Sequence, residues 1–358
     1  MRKLLLLFLI CNCFVLKAQN NQYLYDEAFT TLSEMLEEKR PLNFKKAVFT
    51  VENAYFDGLL DTAFLNKKIN FLKNLSIQVI QNRNLEYKEK DKLIVEKYAS
   101  LFAVMKDSLL MINQNNEKYI HLPFNYDFED VFGHKDWSKM FVSNLLATNK
   151  GNCHSIPYLY KIIAEEIGVT ANLSLAPNHI YIKHRNVKNG WYNTELTSGI
   201  FPIDAWIMAS GYVHLDAIRT GVYMKALTEK ESIALCLVDL AQGYQKSEIY
   251  DLEFVIKCAN KALEYYPNYV NAMILKTEAK GKQIENILFS YNTDFRSVRK
   301  YPKTHAIFKE IEKELAIIHK LGYRQMPEEM YIDWLVSLKE EKQKYANKKI
   351  NTFNIKTN

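Results

Sequence analysis

The chain has 358 residues, 48% hydrophobic, 25% charged and 13% aromatic, which allows a sizeable core and excludes a disordered or fibrous protein. The formal charge of +6 falls to about +3 once Arg2, Lys3 and Lys17 are assigned to a leader. So small and evenly spread a charge argues against nucleic acid as a partner.

Residues 1–19 read as a secretory signal. Arg2 and Lys3 supply the positive start, residues 4–16 the apolar stretch, and Ala18 the small residue near which cleavage is expected. The stretch is short for a bilayer span. Ile10 and Asn12 precede Cys11 and Cys13, where lipoprotein processing requires a small residue. The expectation is therefore export, to the periplasm or outside the cell, with no stable membrane anchor. Cys153, Cys236 and Cys258 remain after cleavage, and an odd count leaves at least one thiol free. Cys236 and Cys258 fall on apolar helical faces, where cysteine acts as a small hydrophobe; a disulfide between them is left open.

Eight of the eleven glycines lie between Gly133 and Gly243, and only Gly58 precedes them. Residues 20–118 therefore read as a helical region, with apolar stripes such as Leu24, Ala28, Leu32 and Met35, whose first explanation is core packing. Residues 119–222 mix elements: helices over 137–146 and 158–167, the second closed by Gly168, then strands over 171–175, 179–185 and 190–196. The turns fall at Ala176-Pro177-Asn178 and Asn189-Gly190. The fold class predicted is α+β in a mostly helical chain.

From 223 to 290 the chain is helical again. Gly243, Ala262 and Pro267 keep the offsets of a tetratricopeptide hairpin, in which small residues let helices approach and proline ends the second one. No second full copy follows. Residues 291–358 read as C-terminal helices and a tail. Leu321-Gly322 stops one helix, Pro327 sits in the first turn of the last, and the lysine-rich end is interspersed with Glu340 and Glu341 as a solvated face.

The chemistry centres on Cys153, in Lys150-Gly151-Asn152-Cys153-His154-Ser155. A lone cysteine is more often structural, but the setting differs here. Asn152 is placed to cap the following helix, which exposes Cys153 to unpaired N–H groups and the positive helix end. Pro157 fits the first turn, and Gly151 is expected to allow a sharp turn and close passage of a substrate backbone. His179, at the start of a strand, is the candidate base; the bland alternative is a solvent-bonded histidine. His154 points elsewhere on the helix, and His121, His134, His184 and His214 lack a companion at a telling spacing. Glu195 is the candidate orienting acid. With a three-residue loop at 186–188 it faces His179 across the hairpin, whereas a two-residue turn at Asn189-Gly190 would set it opposite His184. Asn193 and Asp204 are substitutes.

On these residues, the stretch 137–202 resembles the transglutaminase-like core, a papain-related fold, and most closely its SirB1-like branch, which joins such a core to tetratricopeptide helices. The similarity rests on Gly151-Asn152-Cys153, the helix ending at Gly168, Pro177-Asn178-His179, and Asn193-Thr194-Glu195-Leu196-Thr197-Ser198-Gly199. It implies Cys153 as nucleophile, His179 as base and Glu195 as acid, where most members carry aspartate. His154 directly after the cysteine is a second departure. The backbone N–H of Cys153 is the expected oxyanion donor, with Trp137 a further candidate, and Gly151, Asn152 and Asn178 are expected to line the substrate. The function expected is an exported cysteine enzyme that hydrolyses or transfers acyl groups from amides of a peptide or protein. The alternative is a catalytically inert protein whose helices over 228–290 bind a peptide or partner. No cofactor is expected, and no metal: Cys153, His154 and His179 lack the spacing of a closed zinc site.

Overall fold

The computed structural model describes residues 21–112, 115–247 and 250–349. The expected leader and its cleavage point near Ala18 lie outside them, as does the tail beyond 349. The chain opens with a helix over 21–36 (α1), then α2 (Phe44–Tyr55), α3 (Thr62–Asn82) and α4 (Lys92–Lys106). Strands β1 (Leu109–Ile112), β2 (Lys118–His121) and β3 (Asn125–Tyr126) lead through a 3₁₀ segment, Trp137–Met140, to α5 (Val142–Thr148) and β4 (Lys150–Gly151). Helix α6 (Ser155–Glu166) precedes β5 (Asn172–Ala176), β6 (His179–Asn186) and β7 (Gly190–Thr194). Then come α7 (Asp204–Ser210), α8 (Leu215–Arg219), α9 (Glu229–Tyr244) and α10 (Leu252–Tyr265). Helices α11 (Val270–Ser290), α12 (Pro302–Lys320) and α13 (Glu328–Lys349) complete a mostly helical α+β chain. Among the described residues no helix is long and apolar enough to cross a membrane.

Two compact units form, and both are discontinuous. The first joins the chain up to Thr62 with Leu227–Tyr323; the second joins Ala63–Ala226 with the chain from Arg324 onward. These are not the linear boundaries expected at 119, 223 and 291. An apolar stripe shows that a helix has a buried face but not which distant segment covers it.

In the first unit α9, α10, α11 and α12 pack each on the next, and α2 packs on α9. Thr228 and Glu231 form a reciprocal capping box at the start of α9. Gly243 and Ala262 are buried, as expected of small residues that allow close helix approach. Cys236 and Cys258 are buried thiols, and burial pushes the Cys258 pKa up, so both serve as small apolar residues.

In the second unit α6 supplies Leu159, Ile162 and Ile163 to a core completed by Leu173, Tyr181 and Ile182 of the antiparallel sheet β5-β6-β7. Three local expectations change. The predicted helix over 137–146 breaks at Phe141, which is extended between the 3₁₀ segment and α5. The all-helical reading of 20–118 fails at β1 and β2, an antiparallel hairpin pairing Leu110 with Ile120; Leu-Leu-Met-Ile is apolar without helical spacing, and Asn116 turns the chain at φ 59°. Pro327 precedes α13 rather than lying in its first turn.

Candidate active site

The thiol is positioned by its own loop. Asn152 Oδ1 accepts from the backbone N–H of His154 (3.0 Å) and Ser155 (3.1 Å), and the Asn152 carbonyl accepts from Ile156 N–H (3.1 Å). Asn152 thus caps α6 as expected, with Cys153 in the turn that opens the helix. Its own side-chain amide donates to Val131 O (3.2 Å) and lies 2.9 Å from the Met140 sulfur. The loop supplying Val131 is ordered by Asp130, whose carboxylate accepts from the backbone N–H groups of His134, Lys135 and Asp136. Sequence reasoning missed Asp130, although aspartate bonding its own backbone a few residues on is a known turn signal.

Gly151 is not an open passage. A Cβ there would meet Ser155 Oγ at 2.6 Å and Leu145 Cδ1 at 2.8 Å, so the chain's own side chains fill that space. The reason for glycine is packing. The Trp137 ring packs on Gly133, and Met140 of the same 3₁₀ segment reaches the cysteine loop, where its carbonyl lies 2.8 Å from His154 Nδ1. The His154 ring lies 4.1 Å from that of Tyr158 in a tilted contact.

His179 enters from a two-residue turn. Ala176 pairs with His179, and Pro177-Asn178 close the hairpin with Asn178 at φ 55°, a left-handed conformation that asparagine tolerates. The turn brings the Asn178 carbonyl oxygen to 3.5 Å from the Cys153 sulfur. The β6–β7 register corrects both expected alignments. Asn186 pairs with Gly190 and His184 with Tyr192, so the loop is 187–189 and Glu195 continues the ladder opposite Tyr181. A shift of two residues keeps the same face of the sheet, where a shift of one would reverse it. Glu195 therefore meets His179 diagonally, with Oε2 2.6 Å from Nε2.

The carboxylate is fixed by a tight loop. Thr197 N–H donates to Glu195 Oε1 (2.7 Å), Gly199 and Ile200 N–H both donate to the Glu195 carbonyl, and Gly199 turns the chain at φ 71°. The substitutes are engaged elsewhere. The Asn193 amide donates to Pro202 O and Asp204 Oδ1, and Asp204 also pairs with Lys183. His184 is buried beside Tyr160, whose hydroxyl lies 3.0 Å from its Nε2.

Cys153, His179 and Glu195 are all buried, and their charges support one another. Burial raises the Cys153 thiol pKa, but the hydrogen bond and charge of His179, with Tyr331 and His154 adding to them, bring it below the ordinary thiol value. Burial lowers the His179 pKa; the charge of Glu195 and hydrogen bonds to Cys153 and Glu195 reverse this and lift it to about 10. Burial raises Glu195, and His179 with the Thr197 backbone pulls it below the usual carboxylate range.

Sequence reasoning gave no hint of the residues that cover this group. The Tyr331 hydroxyl lies 3.0 Å from His179 Nδ1, and Tyr331 is buried in the same apolar cluster as Cys153. The Trp334 ring meets the imidazole edge-on at 4.7 Å. Met326 and Val131 complete the apolar cluster around the thiol, with Tyr126 packed against it from β3. Tyr331 stands 152 residues after His179, and on its own it reads as an ordinary aromatic near a helix start. Compared with known proteins, the chain matches no family model, no curated protein and no solved structure.

Proposed function

We propose that this protein is an exported cysteine enzyme of transglutaminase-like type that breaks an amide bond in a peptide or protein and passes the acyl group to water or an amine. The observation that carries the reading is the 2.6 Å bond from His179 Nε2 to Glu195, on an imidazole whose charge also lowers the Cys153 pKa. On this reading the three residues, far apart in sequence, act as one buried proton-transfer group. The order Cys, His, acid and the cap at Asn152 support the likeness to the transglutaminase-like core, and the paired helices α9 and α10 support the tetratricopeptide comparison.

In this reading the Cys153 thiolate attacks the amide carbonyl carbon, and the backbone N–H of Cys153 at the head of α6 faces the developing oxyanion. The imidazolium of His179 gives its proton to the leaving nitrogen as the C–N bond breaks, which leaves a thioester. His179 then takes a proton from the incoming water or amine, the new bond forms, and the thiolate departs. Glu195 holds the imidazole tautomer and its charge throughout.

The test is incubation with a mixed peptide library in hydroxylamine, read by mass spectrometry. Hydroxamate products that vanish in Cys153→Ala support a thioester intermediate; products unchanged by that substitution, or none from a chain whose Cys153 alkylates rapidly, overturn the reading. The burial of Cys153, 7% exposed, favours one second reading, an inert core in a peptide-binding protein. That reading predicts peptide retention unaffected by Cys153→Ala and no hydroxamate.

A further inference from the structure

What buries Cys153 is largely one stretch of chain, residues 324–335, which reaches the site after the first unit's helices are complete. Its grip is continuous. The Asn178 side-chain amide donates to the Met326 carbonyl at 2.9 Å, and the Met326 side chain is buried beside Cys153. Glu328 pairs with His134 at 3.0 Å. One turn on, Tyr331 is bonded to His179 and packs in the cluster around Cys153, and Trp334 lies edge-on to His179.

Two features distinguish this from ordinary core packing. The asparagine in the turn beside the catalytic histidine binds a main-chain carbonyl, the group that every peptide presents. The Tyr331 hydroxyl sits at His179 Nδ1, within the cluster that buries Cys153, the region through which attack and proton transfer must pass. While it is there a substrate carbonyl has no access.

We propose that residues 324–335 are an internal occupant of the peptide-binding cleft of this site: the cleft accepts an apolar peptide segment through Asn178 and the Met326 position, and the enzyme is latent until that segment leaves. The inference rests on the reading of Cys153 as the nucleophile. The apparent reactivity of the thiol then equals its intrinsic value scaled by the open fraction.

The test uses the full chain with a site-specific protease sequence inserted between Tyr323 and Arg324, and follows iodoacetamide alkylation of each cysteine by mass spectrometry. Cutting and dilution should raise the Cys153 rate by about tenfold or more, and a synthetic peptide of residues 324–337 should slow it again. Trp334→Ala in the uncut chain should raise it in the same direction. Cys236 and Cys258, which are fully buried, should stay unreactive throughout. The inference is overturned if neither change raises the Cys153 rate, or if the rise comes with loss of amide protection in β5, β6 and β7 of the same unit, since the segment would then be a structural part of the fold. The enzyme reading fails separately: an opened chain that alkylates rapidly but yields no hydroxamate has a cleft and no catalysis.

Discussion

His179 Nε2 stands 2.6 Å from Glu195 Oε2 although the two residues are not cross-strand partners. Glu195 lies just past the end of β7, on the face it shares with Tyr181 and His179, and the loop closed by Ile200 aims its carboxylate back along the sheet. Strand parity and a tight loop together produce the contact. It also sets the electrostatics of the site, because an ionised partner at this distance keeps a buried imidazole charged.

Glu195→Gln should expose that dependence. The amide keeps an acceptor near Nε2 but removes the charge, which leaves Cys153 alone to oppose the lowering effect of burial. His179 should then titrate well below its native value of about 10. NMR of the imidazole nitrogens against pH reads this directly; a variant that still titrates near 10 would show that Glu195 is not the source of the shift.

Gly151→Ala should destabilise the second unit. The added methyl meets Ser155 Oγ and Leu145 Cδ1 well inside contact distance, and overpacking of this kind costs about 1–3 kcal/mol. Asn152→Ala removes the acceptor for His154 and Ser155 N–H and should cost about 1 kcal/mol as a lost cap. All four tryptophans, at 137, 191, 206 and 334, belong to this unit, so urea midpoints followed by tryptophan fluorescence report it. An unchanged midpoint in both variants would contradict the packing described.

His184 should make the same unit acid-sensitive. Burial depresses its pKa to about 3, so the fold holds it neutral while the unfolded chain protonates near pH 6.5. The sign follows: the unfolded state binds the extra proton between these values, so stability is full above about pH 6.5 and declines as pH falls, by about 1.4 kcal/mol per unit. In His184→Gln that one-proton slope should be missing from the fluorescence-detected midpoints. A slope unchanged by the substitution would place the acid sensitivity elsewhere.

Much of this site was legible in the sequence because its signals are local. A capping asparagine, the helix it starts and a two-residue turn at Pro177-Asn178 each declare themselves within a few residues, so Cys153 and His179 could be named and the strands that follow outlined. Glu195 was reachable because register errors of two residues preserve the face; the loop length itself was misjudged, since Asn189-Gly190 looks like a turn centre but Gly190 already pairs with Asn186. Gly151 misled because glycine has several uses, and only the neighbours in space decide which applies. Nothing local announces that α13 returns to the site. The partners of Tyr331, Trp334 and Met326 lie well over a hundred residues earlier, and aromatic spacing on a helix fits any apolar surface.

The most direct test of the central claim, that His179 and Glu195 activate Cys153 as a nucleophile, is the pH profile of Cys153 alkylation, normalised to its alkaline limit so that access cancels. The midpoint in the native chain should fall below the ordinary thiol value of about 8.5, and His179→Ala should move it upward, because the largest counterweight to burial is then gone. A native midpoint at or above the ordinary value, indifferent to loss of His179, would contradict the account.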